Sequence, residues 1–288
     1  FKGVAYDLFT LAFGYHPRAA SEDQIKGALE ASANELEIDE FTSRFLLSEW
    51  TNVVDAWQIQ NLDDYKDVPR LGRKNRMSAK KRELIWPIFL KARQKLEEQG
   101  IASWASIFGK VSAFYETKDR KPFTHAVVDE AQDLGVPELR MLSSIISTGT
   151  DSLFFAGDLG QRIFQEPFSW KSLGVDIRGR SKTLKVNYRT SHQIRSAADK
   201  LLPNMVRDVD GNEEDRTGTI SVFNGPAPEV FVFADQSAEA TGVSNWIKEA
   251  IKSGIEPAEI GVFVRSKNEL ARARKAINEA QHTPLELS

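Results

Sequence analysis

The stretch Val127-Val128-Asp129-Glu130-Ala131-Gln132-Asp133 decides how this chain is read. A short apolar run, Ala126 to Val128, ends in two adjacent carboxylates. A buried strand of a parallel sheet reads as such a run, and ligands sit beyond the carboxyl ends of such strands. Two acids at that edge suit metal–phosphate chemistry. Asp129 can hold Mg²⁺, which favours one or two carboxylates plus substrate phosphates. Glu130 can orient or deprotonate a water. Gln132 and Asp133 read equally well as residues linking these acids to their surroundings or as makers of local turn hydrogen bonds.

Outward from this point, a second apolar run, Leu153–Ala156, leads into Gly157-Asp158-Leu159-Gly160-Gln161-Arg162-Ile163-Phe164. A third leads through Leu184-Lys185-Val186 into Asn187-Tyr188-Arg189-Thr190-Ser191, with Ile194 just after. In order and spacing these three segments resemble motifs II, III and IV of the UvrD/Rep family of superfamily-one ATP-dependent DNA helicases. The resemblance covers about Asp119 to Ile194. It implies ATP and Mg²⁺ as cofactors, and single-stranded or partly duplex DNA as partner. It gives Asp129 the metal and Glu130 the attacking water. It implies that Gln161 contacts the terminal phosphate. It also implies that Tyr188 stacks on adenine and Arg189 reaches the γ-phosphate across an interdomain cleft. A guanidinium suits that last task because it is planar and always charged. After Phe164 the chain departs from the family pattern: Gln165-Glu166-Pro167-Phe168-Ser169-Trp170 stands where an aromatic and then Arg-Gly are usual. Phe164, Phe168 and Trp170 are the rings that could stack single-stranded bases, although aromatic rings more often pack in a core.

The flanks define the expected architecture. From Gln24 to about Ala113 the spacing is helical, with stripes such as Leu84, Ile85, Ile88, Phe89, Ala92 and Leu96. Ser21 and Gln24 form a candidate capping box, and Pro87 predicts a kink or a late helix start. Val4–Phe13 reads as a strand or a short helix. Beyond Lys118, strands alternate with helices, which argues for a parallel sheet. Pro203–Thr217 reads as a polar linker. Strands are expected at Thr183–Val186, Thr219–Phe223, Glu229–Phe233 and Ile260–Arg265, and helices at 191–202, 238–252 and 269–280. The expected fold class is α/β. The resemblance refines it to a RecA-like parallel sheet flanked by helices, with a mainly helical insertion domain (residues 1–118, 1B-like), the second half of a 1A domain (119–206) and the beginning of a 2A domain (207–288).

Composition sets further bounds. The 288 residues are 41% hydrophobic and 27% charged, as in ordinary globular proteins. No apolar stretch approaches the ~20 residues that span a bilayer. Cysteine is absent, which excludes disulfides and thiolate metal sites and fits a cytoplasmic location. The four histidines have no metal-ligand spacing. Net charge is −3, so nucleic acid must be met by a local basic patch. Arg73, Lys74, Arg76, Lys80, Lys81 and Arg82 crowd an acid-free segment that reads either as a contact to DNA phosphates or as a solvated loop. No G-x-x-x-x-G-K-[ST] phosphate loop is present; Gly109-Lys110 has Trp104 and Val111 at the positions that should be Gly and Ser/Thr. The chain is therefore expected to be the middle of a helicase, inactive by itself. The alternatives are a non-catalytic DNA-binding or assembly module, or the helicase part of a helicase–nuclease complex.

Overall fold

Local signals start most of the helices in the computed structural model, which describes residues 1–68, 77–149, 151–158, 168–201, 203, 205–211, 213–215 and 218–286. Two compact units form, Phe1–Phe223 and Asn224–Ser288.

The first unit opens with α1 (Lys2–Phe13), which resolves the ambiguous Val4–Phe13 run as a helix. It ends at Gly14, whose φ of 78° is the left-handed conformation that glycine adopts without strain. α2 (Glu22–Glu35) begins with the anticipated capping box. The Gln24 N–H donates to Ser21 Oγ, and the Ser21 N–H donates to Gln24 Oε1. α3 (Ser43–Glu49) is capped by Thr42 and runs directly into a π-helical turn, Trp50–Val54. α4 (Leu62–Asp67) is capped by Asn61 and α5 (Ala79–Glu98) by Ser78. Pro87 lies well inside α5, so the late start does not occur: the helix begins eight residues earlier, where Ser78 caps it by accepting from the Lys81 N–H. α6 (Trp104–Glu116) follows, capped by Ser103.

The α/β part comes next. β1 (Ala126–Val128) leads through α7 (Val136–Ile145) to β2 (Leu153–Phe155). β1 and β2 pair in parallel, Val127 opposite Phe154. β3 (Val186–Asn187) precedes α8 (His192–Asp199). An antiparallel pair, β4 (Met205–Arg207) and β5 (Glu213–Asp215), occupies the segment expected to be a linker. Its polar, acidic composition hid a strand pair across which Arg207 meets Glu213 at 2.5 Å. β6 (Ile220–Ser221) returns parallel to β3. Among the described residues the strands thus form two small parallel pairs and one antiparallel pair, a mixed α/β fold. No described helix is long and apolar enough to cross a membrane.

Three apolar clusters hold this unit. The largest joins α2, α3, the π turn, α4 and α5 around Leu29, Trp50, Ile85 and Phe89. A second packs α1, α6 and α7 through Phe9, Phe108 and Ile145. The third, with Val128, Leu134, Leu139 and Phe168, lies under the ends of β1 and β2.

The second unit is a pair of helices, α9 (Gln236–Lys252) and α10 (Leu270–Glu279). Asp235 caps α9, and Arg272 of α10 bridges Glu239 of α9 at 2.5 Å. The expected strands at 229–233 and 260–265 are not formed. Val230, Val232 and Phe263 are about nine-tenths exposed or nearly so. A strand exists only through a paired neighbour, and apolar alternation cannot supply one.

Two buried polar sites in the helical block should affect stability in opposite directions at neutral pH. Tyr65 and Glu49 are both fully buried, and the Tyr65 hydroxyl donates to Glu49 Oε1 at 2.7 Å. Tyr65→Phe keeps the ring packed against Trp86 and Phe89 but removes this bond. It should cost about 1–3 kcal/mol, read as a lower urea midpoint with unchanged slope.

Asp55 follows the π turn and is buried, and burial pushes its carboxyl up from the usual 3.8 to about 6. Bonds from Ser103 and Gln58 and the Arg93 charge only partly oppose this. A raised folded-state value means that the contribution of Asp55 to stability is full below about pH 4 and is lost as pH rises through 6. Asp55→Asn should therefore stabilise the protein by on the order of 1–3 kcal/mol at pH 7 and change little at pH 4. Denaturant melts at the two pH values check the sign.

Candidate active site

Strand pairing sets two loop beginnings side by side. The Ala156 N–H donates to Val128 O at 2.8 Å, and the Ala131 N–H donates back to Ala156 O at 2.9 Å. The ladder thus continues past both strands, and it fixes Asp129-Glu130 against Gly157-Asp158. Asp129 and Glu130 are both exposed. The chain turns sharply between them: Glu130 has φ 51°, left-handed for a residue with a side chain. Such conformations cost on the order of 1 kcal/mol and gather at functional sites. The Glu130 N–H donates to Asp129 Oδ1 at 2.9 Å, which helps hold the turn.

Gln132 sits beneath the acids and is buried. Its Nε2 donates to Glu130 Oε2 at 2.6 Å, and its Oε1 accepts from the Asp158 N–H at 3.1 Å. One of these bonds is local, to the residue two before it, and the other is distant. The link spans the ends of both parallel strands. α7 then leaves the site with Pro137 in its first turn.

This donor set suits a magnesium ion. Mg²⁺ takes one or two protein carboxylates and completes its shell with phosphates and water. Asp129 and Glu130 supply two carboxylates on an open surface. A closed cage of three or more His, Cys, Asp or Glu side chains is not found among the described residues.

No family model matches the chain. Over 165 residues it is 28% identical to "Putative ATP-dependent DNA helicase YjcD" of Bacillus subtilis (strain 168). That match covers 56% of this chain and 20% of the relative, so the chain spans about a fifth of the length of the curated relative it matches.

The remaining candidates separate into distinct places. Gln161 and Phe164 lie outside the described residues, as do Arg73, Lys74 and Arg76. Tyr188 and Arg189 follow β3, on the strand pair with β6, and both are exposed, Tyr188 at 74%. Asn187 builds their turn: its Oδ1 accepts from the Arg189 N–H at 2.8 Å and the Thr190 N–H at 3.2 Å. Ser191 then caps α8.

Phe168 is 5% exposed and belongs to the cluster under the strand ends, so in this arrangement it presents no face to a base. Trp170 is half-buried, edge-on to Phe155 with ring centroids 4.8 Å apart. Asp210, from the β4–β5 turn, fixes the segment by accepting from the Trp170 N–H at 2.7 Å and the Lys171 N–H at 3.0 Å. Composition marked Asp210 only as one acid among several in a linker.

The basic run divides as well. Arg82 donates to the carbonyls of Tyr65 and Lys66, tying α5 to α4. Lys81 pairs with Glu40 at 2.8 Å on the surface. Lys80 is exposed. Arg82→Ala should therefore lower the denaturation midpoint, through two lost charge-assisted bonds, while Lys80→Ala should leave it within about 0.5 kcal/mol of the parent. Equal midpoints for the two variants would contradict this division.

Proposed function

We propose that this chain forms part of the motor of an ATP-dependent DNA helicase or translocase of the UvrD/Rep type. The observation that carries the reading is the pair Asp129–Glu130 at the end of a parallel strand, linked through Gln132 to the loop after the neighbouring strand. Residues 1–118 then correspond to the 1B insertion, 119–206 to the second half of the RecA-like 1A domain and 207–288 to the beginning of 2A. Asp129 holds Mg²⁺ and Glu130 orients the attacking water. Gln161 senses the terminal phosphate, Tyr188 stacks on adenine and Arg189 meets charge on the γ-phosphate. The similarity to the Bacillus relative supports ATP and DNA as partners. DNA phosphates would be met by the basic segment, of which Lys80 is exposed and Lys81 is exposed and paired with Glu40. A cytoplasmic place and a role in DNA repair go with the same reading.

Phosphoryl transfer needs metal, an oriented water and positive charge around the phosphate. This chain supplies the first two from one strand end and the third from Arg189. The phosphate-cradling loop is absent from its 288 residues. The test therefore uses the full natural protein with single-stranded DNA and measures phosphate release. DNA-stimulated turnover is expected; a protein that neither binds nor hydrolyses ATP overturns the reading. Glu130→Gln should keep nucleotide affinity within a few-fold and lose hydrolysis. Near-parental turnover would remove Glu130 from its role.

Arg189→Ala should cut turnover by on the order of 10³ with a smaller loss of ATP affinity, because γ-phosphate charge is best met in the transition state. Tyr188→Ala should do the reverse and chiefly weaken ATP binding. Nucleotide titrations beside turnover assays separate the two. If neither quantity moves in either variant, the Asn187–Arg189 turn is only structural.

A further inference from the structure

Gln132 makes two hydrogen bonds of opposite sense at once, donating at one end and accepting at the other. The Glu130 carboxylate needs a donor, and the Asp158 N–H needs an acceptor. A primary amide has both, and its two partners fix which end faces which. Glutamate would offer no donor when ionised. Methionine would fill the space with neither function. Asparagine is one methylene too short to span the gap.

Gly157 closes this arrangement from the other side. A Cβ on Gly157 would lie 2.5 Å from Gln132 Oε1 and 3.1 Å from the Ala131 nitrogen. The first distance is far below van der Waals contact, and the second atom is backbone. The loop after β2 therefore lies directly on the Gln132 amide, and a side chain at 157 would have to displace that amide.

We propose that Gln132 is a positioning residue that sets the Glu130 carboxylate according to the position of the Gly157–Asp158 loop. This rests on the reading of Glu130 as the residue that orients water. Glu130 sits in a strained left-handed turn, exposed, with Gln132 donating to one carboxylate oxygen. A shift of the loop pulls on Oε1, and the same rigid amide turns Nε2 and the carboxylate with it. Hydrolysis, and not nucleotide binding, becomes conditional on that loop.

The test measures kcat and KM for ATP in the full natural protein, with active sites counted by nucleotide-binding stoichiometry. Gln132→Met keeps length and packing but removes both bonds. Gly157→Ala leaves Gln132 intact but displaces it. Each should lower kcat about 10–100-fold, the range for a lost orienting partner, with KM changed less than about threefold. The double variant should be no worse than the poorer single one, since both break one link. A purely structural role would lower the fraction of active sites and leave kcat per site alone. Parental kcat in Gln132→Met, or multiplied losses in the double variant, overturns the proposal while the functional reading stands. No turnover in the parent protein overturns both.

Discussion

The parallel pairing of Ala126–Val128 with Leu153–Phe155 is the constraint on which the site depends. It brings together two turns, Asp158 and Gln132 meeting across 26 residues of sequence, and sets them at the same edge. Parallel strands need a crossover, here α7, and the apolar face of that helix fills the space under the strand ends with Leu139 and Leu142. The edge is thus packed below by this cluster and open above, where Asp129 and Glu130 are exposed.

The helical block is built differently and depends far less on distant pairing. Its helices start at Ser, Thr and Asn caps and bury stripes at helical spacing, so local rules and packing agree. The polar groups in its interior are the exceptions. Glu49 is offset by the Tyr65 hydroxyl, and Asp55 is held with its charge disfavoured. The π turn between them places Trp50 in the core beside Phe89.

Much of this was legible in the sequence because its causes are local. The Ser21–Gln24 box, the α5 stripe and the acids after Val128 follow from spacing and from the chemistry of single residues. What was not legible depends on partners far along the chain. The Gln132 link needs the β1–β2 register before Asp158 comes within reach. The use of Arg82 to tie α4 to α5 needs the carbonyls of Tyr65 and Lys66 in place. Asp210 reaches the Trp170 segment from between Met205–Arg207 and Glu213–Asp215, which pair as strands. Apolar alternation at 229–233 and 260–265 misled for the converse reason: it describes a face, and a strand needs a neighbour.

The central claim is that the edge at Asp129 and Glu130 receives a metal-bound nucleotide. Paramagnetic broadening by Mn²⁺ in the presence of ATP, followed amide by amide, tests it most directly. The account predicts that the resonances of residues 129–133 and 157–158 broaden first and together, and that Asp129→Ala abolishes the effect. Broadening centred elsewhere, with these amides untouched, would contradict it.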